Sequence, residues 1–305
     1  MNKFAFLFPG QGSQSVGMMA GFGDNTIVSD TFKEASDILG IDLWQMVTEP
    51  NELLNLTTNT QPIMLTAGVA TWRAWIAVNN EQPTIMAGHS LGEYSALVAA
   101  EALSFADALP LVRYRAEVMQ GAVAEGVGAM AAILGLDDAT VLAVCAEAAQ
   151  GGVLEAVNLN SPGQVVIAGH KSAVERGMEL AKEKGAKRAL ALPVSVPSHC
   201  ALMKPAADKL REYLTTVKMN TPNVPVVHNA DVVAYTEVAQ IKDALVRQLY
   251  SPVRWVETIQ AIAALGVTNT AECGPGKVLT GLTKRIISEL PCVALVNNET
   301  LATVL

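Results

Sequence analysis

The segment Gly88-His89-Ser90-Leu91-Gly92 has the residue types for nucleophilic acyl chemistry. It stands between an apolar run at 84–87, which predicts a strand, and a stretch at 91–102, which predicts a helix. A G-x-S-x-G sequence at a strand-to-helix turn projects the serine hydroxyl. Its glycines permit the sharp turn, and the N–H of the next residue, Leu91, can face a developing oxyanion. The same letters also make an ordinary Gly-rich turn, and the flanking strand and helix favour the chemical reading. A serine hydroxyl is almost wholly protonated at neutral pH, so a base is required. The chain has four histidines. His89 adjoins the serine and points away from it in a sharp turn. His170 lies at a strand end in the middle of the chain, and His228 ends an apolar strand as a core histidine would. His199, in Val196-Pro197-Ser198-His199, sits in a strand-to-helix loop, where open α/β sheets gather functional groups. A helix N-terminus there disfavours the imidazolium. His199 is the expected base.

Arg115 is the second unusual residue. On a helix predicted over 107–123, Arg113 falls on the polar face with Glu117 and Gln120. Arg115 falls among Leu111, Val112, Met119 and Ala122. A guanidinium on an apolar face is costly unless an anion meets it. It either pairs with an internal carboxylate, snorkels outward, or forms a buried fork for a substrate carboxylate. Met119, one turn on, is expected to contact the same substrate. Gly10-Gln11-Gly12-Ser13-Gln14 follows the first strand. Ser15 stands where a dinucleotide fingerprint needs its third glycine, and no P-loop occurs. The N–H of Gln11 is then a candidate second oxyanion donor. Gly274-Pro275-Gly276-Lys277, a third loop at a strand end, reads as a structural turn.

These residues need a frame to hold them. The chain has 305 residues, 50% hydrophobic and 16% charged, with 21 basic against 29 acidic side chains and a net charge of −8. That is too apolar for disorder, long enough for about two domains, and too acidic for a typical nucleic-acid binder. Cys145, Cys200, Cys273 and Cys292 form no C-x-x-C pair and have no histidine at zinc spacing, so they read as thiols of a reducing compartment. The N-terminal apolar run is too short for a signal peptide, and no apolar stretch of about 18 residues occurs. A cytoplasmic protein is expected, with no membrane or nucleic-acid partner. Strands and helices alternate, which predicts an α/β fold. Strands at 128–136, 153–158, 164–168 and 188–194 and helices at 138–149 and 172–184 follow the order β-α-β-β-α-β of a ferredoxin-like unit. The expected organisation is therefore a small domain at 126–196 inserted into a larger discontinuous one, 1–125 and 197–305. Further helices are expected at 31–39 (capped by Asp30), 61–79, 202–217, 241–250, 253–265 and 278–290, and strands at 3–8, 225–229 and 269–273.

Five strings occur in order: Phe8-Pro9-Gly10-Gln11-Gly12-Ser13-Gln14, Gly88-His89-Ser90-Leu91-Gly92-Glu93-Tyr94-Ser95-Ala96, Asn158-Leu159-Asn160-Ser161-Pro162-Gly163-Gln164, Val196-Pro197-Ser198-His199 and Gly274-Pro275-Gly276-Lys277. Together they resemble the bacterial malonyl-CoA:acyl carrier protein transacylases of type II fatty acid synthesis, from about residue 3 to about residue 290. The resemblance implies a hydrolase-like large domain with a mostly parallel sheet and the ferredoxin-like insert. It implies Ser90 as nucleophile, His199 as base, and Gln11 and Leu91 as oxyanion donors, with Arg115 on the malonyl carboxylate. It also implies that the backbone carbonyl of Gln248, rather than an acidic side chain, orients His199. Malonyl-CoA and a transiently bound, acidic acyl carrier protein are the implied partners of a monomer with no metal or redox cofactor. Lys277, Lys284 and Arg285, or Lys182, Lys184, Lys187 and Arg188, are the basic clusters such a carrier would meet. A serine esterase or thioesterase is the other enzymatic reading of the elbow. A docking subunit with an inactive hydrolase fold is the non-enzymatic one.

Overall fold

The computed structural model describes residues 3–79, 81–194 and 196–302. Along the chain run β1 (Phe4–Phe8), α1 (Thr26–Leu39), α2 (Leu43–Thr48), α3 (Thr57–Val78), β2 (Ile85–Gly88), α4 (Gly92–Ala99) and α5 (Phe105–Gln120). Next come β3 (Gly128–Leu134), α6 (Asp138–Ala149), β4 (Leu154–Ser161), β5 (Gln164–His170), α7 (Lys171–Glu183) and β6 (Arg188–Ala191). The remainder is α8 (Lys204–Thr216), β7 (Val226–Val227), α9 (Val238–Gln248), α10 (Trp255–Ala264), β8 (Asn269–Cys273), α11 (Val278–Ile286), β9 (Cys292–Leu295) and α12 (Asn298–Leu301).

Two sheets organise these elements. The first has the order β7-β2-β1-β8-β9, and all its pairings are parallel. A parallel sheet must be covered on both faces, so its strands read as continuous apolar runs. β1 obeys this: all five residues are buried. The period of two sends Phe4, Phe6 and Phe8 to one face, where Phe6 meets Trp72 and Trp75 of α3 edge-on. Ala5 and Leu7 face the other side, against Trp255, Ile259 and Ile262 of α10 and Leu279 and Leu282 of α11. Because the strands are parallel, the loops after β1, β2, β7 and β8 all emerge at one end. Those loops carry Gln11, Ser90, Asn229 and Gly274.

The second sheet is antiparallel, with the order β4-β5-β3-β6. One face packs Ile133, Val165 and Ile167 on α6 and α7, and the other packs Met130, Val157 and Val166 with Cys200. Leu159 N donates to Val253 O (3.0 Å) and Val253 N to Val157 O (2.8 Å), so β4 is tied by backbone to the segment before α10.

Every element expected from the sequence occurs, with shifted ends. α1 begins at Thr26 rather than 31 because Asn25, not Asp30, is the cap: its side chain accepts from Ile27 N. α3 begins at Thr57 rather than 61, with Pro62 inside it. α5 starts at Phe105 because the Ser104 hydroxyl caps Asp107 N (3.0 Å). β4 runs on to Ser161, past its expected end at 158, through two register shifts at Ala156/Asn158 and Leu159/Ser161. Bulges of this kind redirect side chains beside functional sites. The six-residue α2, the strand β9 and the one-turn α12 had no counterpart in the sequence reading.

Candidate active site

The elbow is built by exclusion. Gly88 and Gly92 pack so closely that a Cβ on Gly88 would overlap the Gly92 carbonyl, and one on Gly92 would overlap the carbonyl oxygen of Phe8. Between them Ser90 takes a left-handed backbone, φ +50°. Few residues with a side chain adopt that region without cost, and where they do the strain often marks a functional site. A Cβ on Gly10 would strike the carbonyl oxygen of His89 and come within 3.6 Å of Leu91 N, so the loop after β1 lies directly on the elbow. Outside helices and strands, neither Gln11 N–H nor Leu91 N–H donates to a backbone carbonyl among the described residues.

Ser90 Oγ lies 2.8 Å from His199 Nε2, and His199 Nδ1 donates to the backbone carbonyl of Gln248 at 2.7 Å. That second bond places the proton on Nδ1 and leaves Nε2 as the acceptor facing the serine. His199 is 2% exposed and also left-handed, φ +67°. Burial, and then the neighbouring Arg115 charge, push its pKa down to about 3. The cause differs from the helix N-terminus expected from the sequence. A single 3-10 turn, Ala201–Met203, follows the histidine, and α8 starts only at Lys204.

An imidazole held neutral this far down has a measurable consequence if it is the expected base. Ser90 acylation should keep its rate as the pH falls through 6.5 to about 5, where an ordinary histidine (about 6.5) would have lost most of its neutral form. Rapid-quench acylation across that range is the check, and a half-maximal rate near 6.5 would contradict the assignment. The stability sign follows separately. Between about 3 and 6.5 the unfolded chain binds the proton and the folded chain does not. The contribution is therefore complete above 6.5 and is lost as the pH falls toward 3.

Arg115 is 1% exposed. Its Nη1 donates to Gln61 Oε1 (2.7 Å), and its Nη2 to Gln248 Oε1 (2.9 Å) and to Ser90 Oγ (3.3 Å). Its Nε is buried with no acceptor. The guanidinium stands over Tyr94, 5.5 Å from the ring centroid, a cation–π contact. Among the described residues no carboxylate lies within ion-pair distance of Arg115, so two of the three possibilities open in the sequence, internal pairing and snorkelling, do not occur. Arg113 does pair, exposed, with Glu117 at 3.4 Å. Met119 is buried on the same helix, its sulfur 3.9 Å from Gln61 Nε2. In the loop after β8, Gly274 takes φ +144° and lies against Pro9.

Beneath the elbow lies a polar lattice that the sequence reading missed. Asn229, after β7, accepts from Ser90 N (2.7 Å) and donates to Gly88 O (2.7 Å). Buried Glu93 accepts from Asn229 N (2.9 Å), Gln248 Nε2 (2.9 Å) and His228 Nδ1 (2.6 Å). Gln248 Nε2 also donates to Ser90 O (2.9 Å). His89 points away from the serine and bonds Asn160 Oδ1 (2.8 Å) on the bulged end of β4. Glu93 and Gln61 left a trace in the sequence, since each is a polar residue inside an otherwise apolar helical run. Asn229 left none.

The model of the acyl transferase domain family matches residues 5–302. The chain belongs to the acyl transferase family. This acyl transferase is 59% identical over 297 residues to the malonyl CoA-acyl carrier protein transacylase of Escherichia coli strain K12, covering 97% of this chain and 96% of that one. It is 47% identical to the enzyme of the same name from Bacillus subtilis over 304 residues, 99% and 96% of the two chains. The acyl-carrier-protein S-malonyltransferase structure from Burkholderia pseudomallei superposes with a TM-score of 0.96 at 61% identity over 98% of each chain. A malonyl-transacylase solved with a type II polyketide synthase acyl-carrier protein superposes at 0.97, with 53% identity over 98% of each chain. The shared fold is a mixed α/β one, with a parallel sheet and a smaller antiparallel sheet.

Proposed function

We propose that this acyl transferase moves the malonyl group from malonyl-CoA to the phosphopantetheine thiol of an acyl carrier protein through a malonyl-Ser90 ester. The observation that carries the reading is the guanidinium of Arg115. It is buried, has no carboxylate partner among the described residues and lies 3.3 Å from Ser90 Oγ. Such a cation suits an acyl group whose own carboxylate stands one methylene from the reacting carbonyl. A plain esterase has no use for it.

In the first half-reaction His199 Nε2 takes the hydroxyl proton as Ser90 Oγ attacks the thioester carbonyl. The carbonyl electron pair moves to oxygen, where the N–H groups of Gln11 and Leu91 receive it. Each donor in such a hole is worth about 2.7–4 kcal/mol of barrier. The tetrahedral centre collapses, the C–S bond breaks, and His199 returns its proton to the CoA sulfur. The carrier's thiol then gives its proton to His199 and attacks the Ser90 ester. The C–O bond breaks and the proton returns to Oγ. One thioester replaces another, so the transfer is close to isoenergetic. Gln248 O stabilises the transient imidazolium through Nδ1, the task an acid performs in other serine enzymes.

The order β4-β5-β3-β6 supports a ferredoxin-like small domain at 126–196. The covered parallel sheet supports a hydrolase-like catalytic domain made of 1–125 and 197–305. Lys277, Lys284 and Arg285 are exposed at the two ends of α11; Gly276 before it lies against Ser13 of the loop after β1, and Arg285 bonds Gln164. In the other cluster Lys182 and Lys184 pair with Glu179 (3.2 Å) and Glu147 (3.8 Å), while Lys187 and Arg188 are exposed on a sheet edge away from the loop after β1. The α11 cluster is therefore the better match for an acidic carrier. The reading includes a cytoplasmic monomer.

Intact-mass spectrometry after incubation with malonyl-CoA tests the whole. A malonyl adduct is expected on the peptide carrying Ser90, discharged by holo carrier protein faster than by water. Discharge to water at the faster rate would return the protein to the thioesterases.

A further inference from the structure

The two side chains that hold Arg115 are both amides. Gln61, on α3, and Gln248, at the end of α9, each offer a neutral carbonyl oxygen, at 2.7 and 2.9 Å. Both amides are oriented by what lies behind them. Gln248 Nε2 faces three oxygens, Ser90 O, Glu93 Oε2 and Asn229 Oδ1 (2.9, 2.9 and 3.5 Å), so its Oε1 must face the guanidinium. Gln61 Nε2 faces Thr57 Oγ1 (3.4 Å) and Met119 Sδ (3.9 Å), which turns its Oε1 the same way. A carboxylate, Glu93, is present, but it stands one amide away, with Gln248 between it and Arg115.

We infer that Gln61 and Gln248 are specificity-determining positioning residues, which aim Arg115 by neutral acceptors and so leave its charge uncommitted for the carboxylate of the incoming acyl group. A carboxylate at either position would aim the guanidinium equally well, but it would also neutralise it. The substrate carboxylate would then enter a dry site as a second, competing anion, and burying an unpaired charge is costly. The inference rests on the malonyl-transfer reading and adds the pair of residues that tunes it.

Gln61 offers the cleaner test, because its side-chain partners among the described residues are Thr57, Met119 and Arg115, none of them an acid, whereas Glu93 would share a proton with a new acid at position 248. Two variants are compared, Gln61→Glu and Gln61→Met, by single-turnover acylation of Ser90 with malonyl-CoA and with acetyl-CoA. Glutamate has nearly the shape of glutamine, so a merely structural role makes Gln61→Glu the milder change. The inference demands the reverse. The malonyl:acetyl ratio should fall on the order of a hundredfold in Gln61→Glu, by analogy with breaking a buried pair, and less in Gln61→Met, where Arg115 is less well aimed but still free. Gln248→Met is the second arm, on a different element. It keeps the backbone carbonyl that holds His199 but loses the side-chain contacts to Ser90 O and Glu93, so both thioesters should slow while the malonyl:acetyl ratio falls. A Gln61→Glu ratio equal to or above that of Gln61→Met overturns the inference. If that variant does not fold, a parental ratio in Gln248→Met does the same. A parent protein that forms no malonyl-Ser90 ester would instead overturn the function itself.

Discussion

Ser90→Ala should abolish the acyl adduct from malonyl-CoA, and His199→Ala should slow its formation by on the order of 10⁴- to 10⁶-fold, the range seen when one member of a serine–histidine unit is removed. The two substitutions differ in what they leave. Without Oγ there is no atom to acylate, so the adduct is missing at any time of incubation. Without the imidazole the hydroxyl remains, 3.3 Å from Arg115, and slow acylation should persist. The folded state should survive both changes. The Ser90 backbone is held from below by Asn229, and a smaller side chain at 199 leaves a cavity without an orphaned charge. Mass spectrometry over seconds to hours, beside a thermal melt, separates these outcomes. Acylation of Ser90→Ala would mean another nucleophile. Parental rates in His199→Ala would remove the base assignment, and His89, bonded away to Asn160, would be a poor replacement.

Arg115→Ala should collapse the preference for malonyl over acetyl. The two acyl groups differ by one carboxylate, and without the guanidinium that carboxylate is buried unpaired. Loss of a partner in a buried pair costs about 3–5 kcal/mol, two to four decades in rate. Acetyl-CoA has no carboxylate to strand, and should react as fast as before or faster. Arg115→Lys should rescue malonyl transfer only in part, because an ammonium cannot present two parallel N–H groups and cannot reach both amide oxygens in the same geometry. Arg113→Ala, which loses only an exposed pair with Glu117, serves as the control. The measurement is kcat/KM for each thioester in each variant. An equal fall for both would make Arg115 structural.

The chemistry-bearing residues were legible because each violates a local expectation. Ser90 and its glycines stand in a turn, and Arg115 stands on an apolar face. The same logic could have reached Glu93 and Gln61, polar residues in apolar helices, but their partners could not be named. Those partners come from β7 and the end of α9, more than 130 residues away for Glu93, and spacing along one helix says nothing about them. Gln248 illustrates the limit. Its role toward His199 is played by a backbone carbonyl, which every residue has, so only resemblance could point to it. Element identities survived because strand and helix periods differ. Element ends moved wherever the decisive cap was a side chain one turn upstream, as at Asn25 and Ser104.

The left-handed backbone at Ser90 and His199 has a practical reach beyond the reaction. Each such residue costs roughly 1–2 kcal/mol relative to a relaxed conformation, against a net stability of about 5–15 kcal/mol for a whole domain. A glycine at position 90 would follow the same turn without that strain and would have nothing to acylate. Hardiness and competence therefore pull in opposite directions at this one codon. A library screened for heat resistance alone would drift toward dead protein, and any effort to toughen this scaffold has to score acyl transfer in the same round as melting temperature.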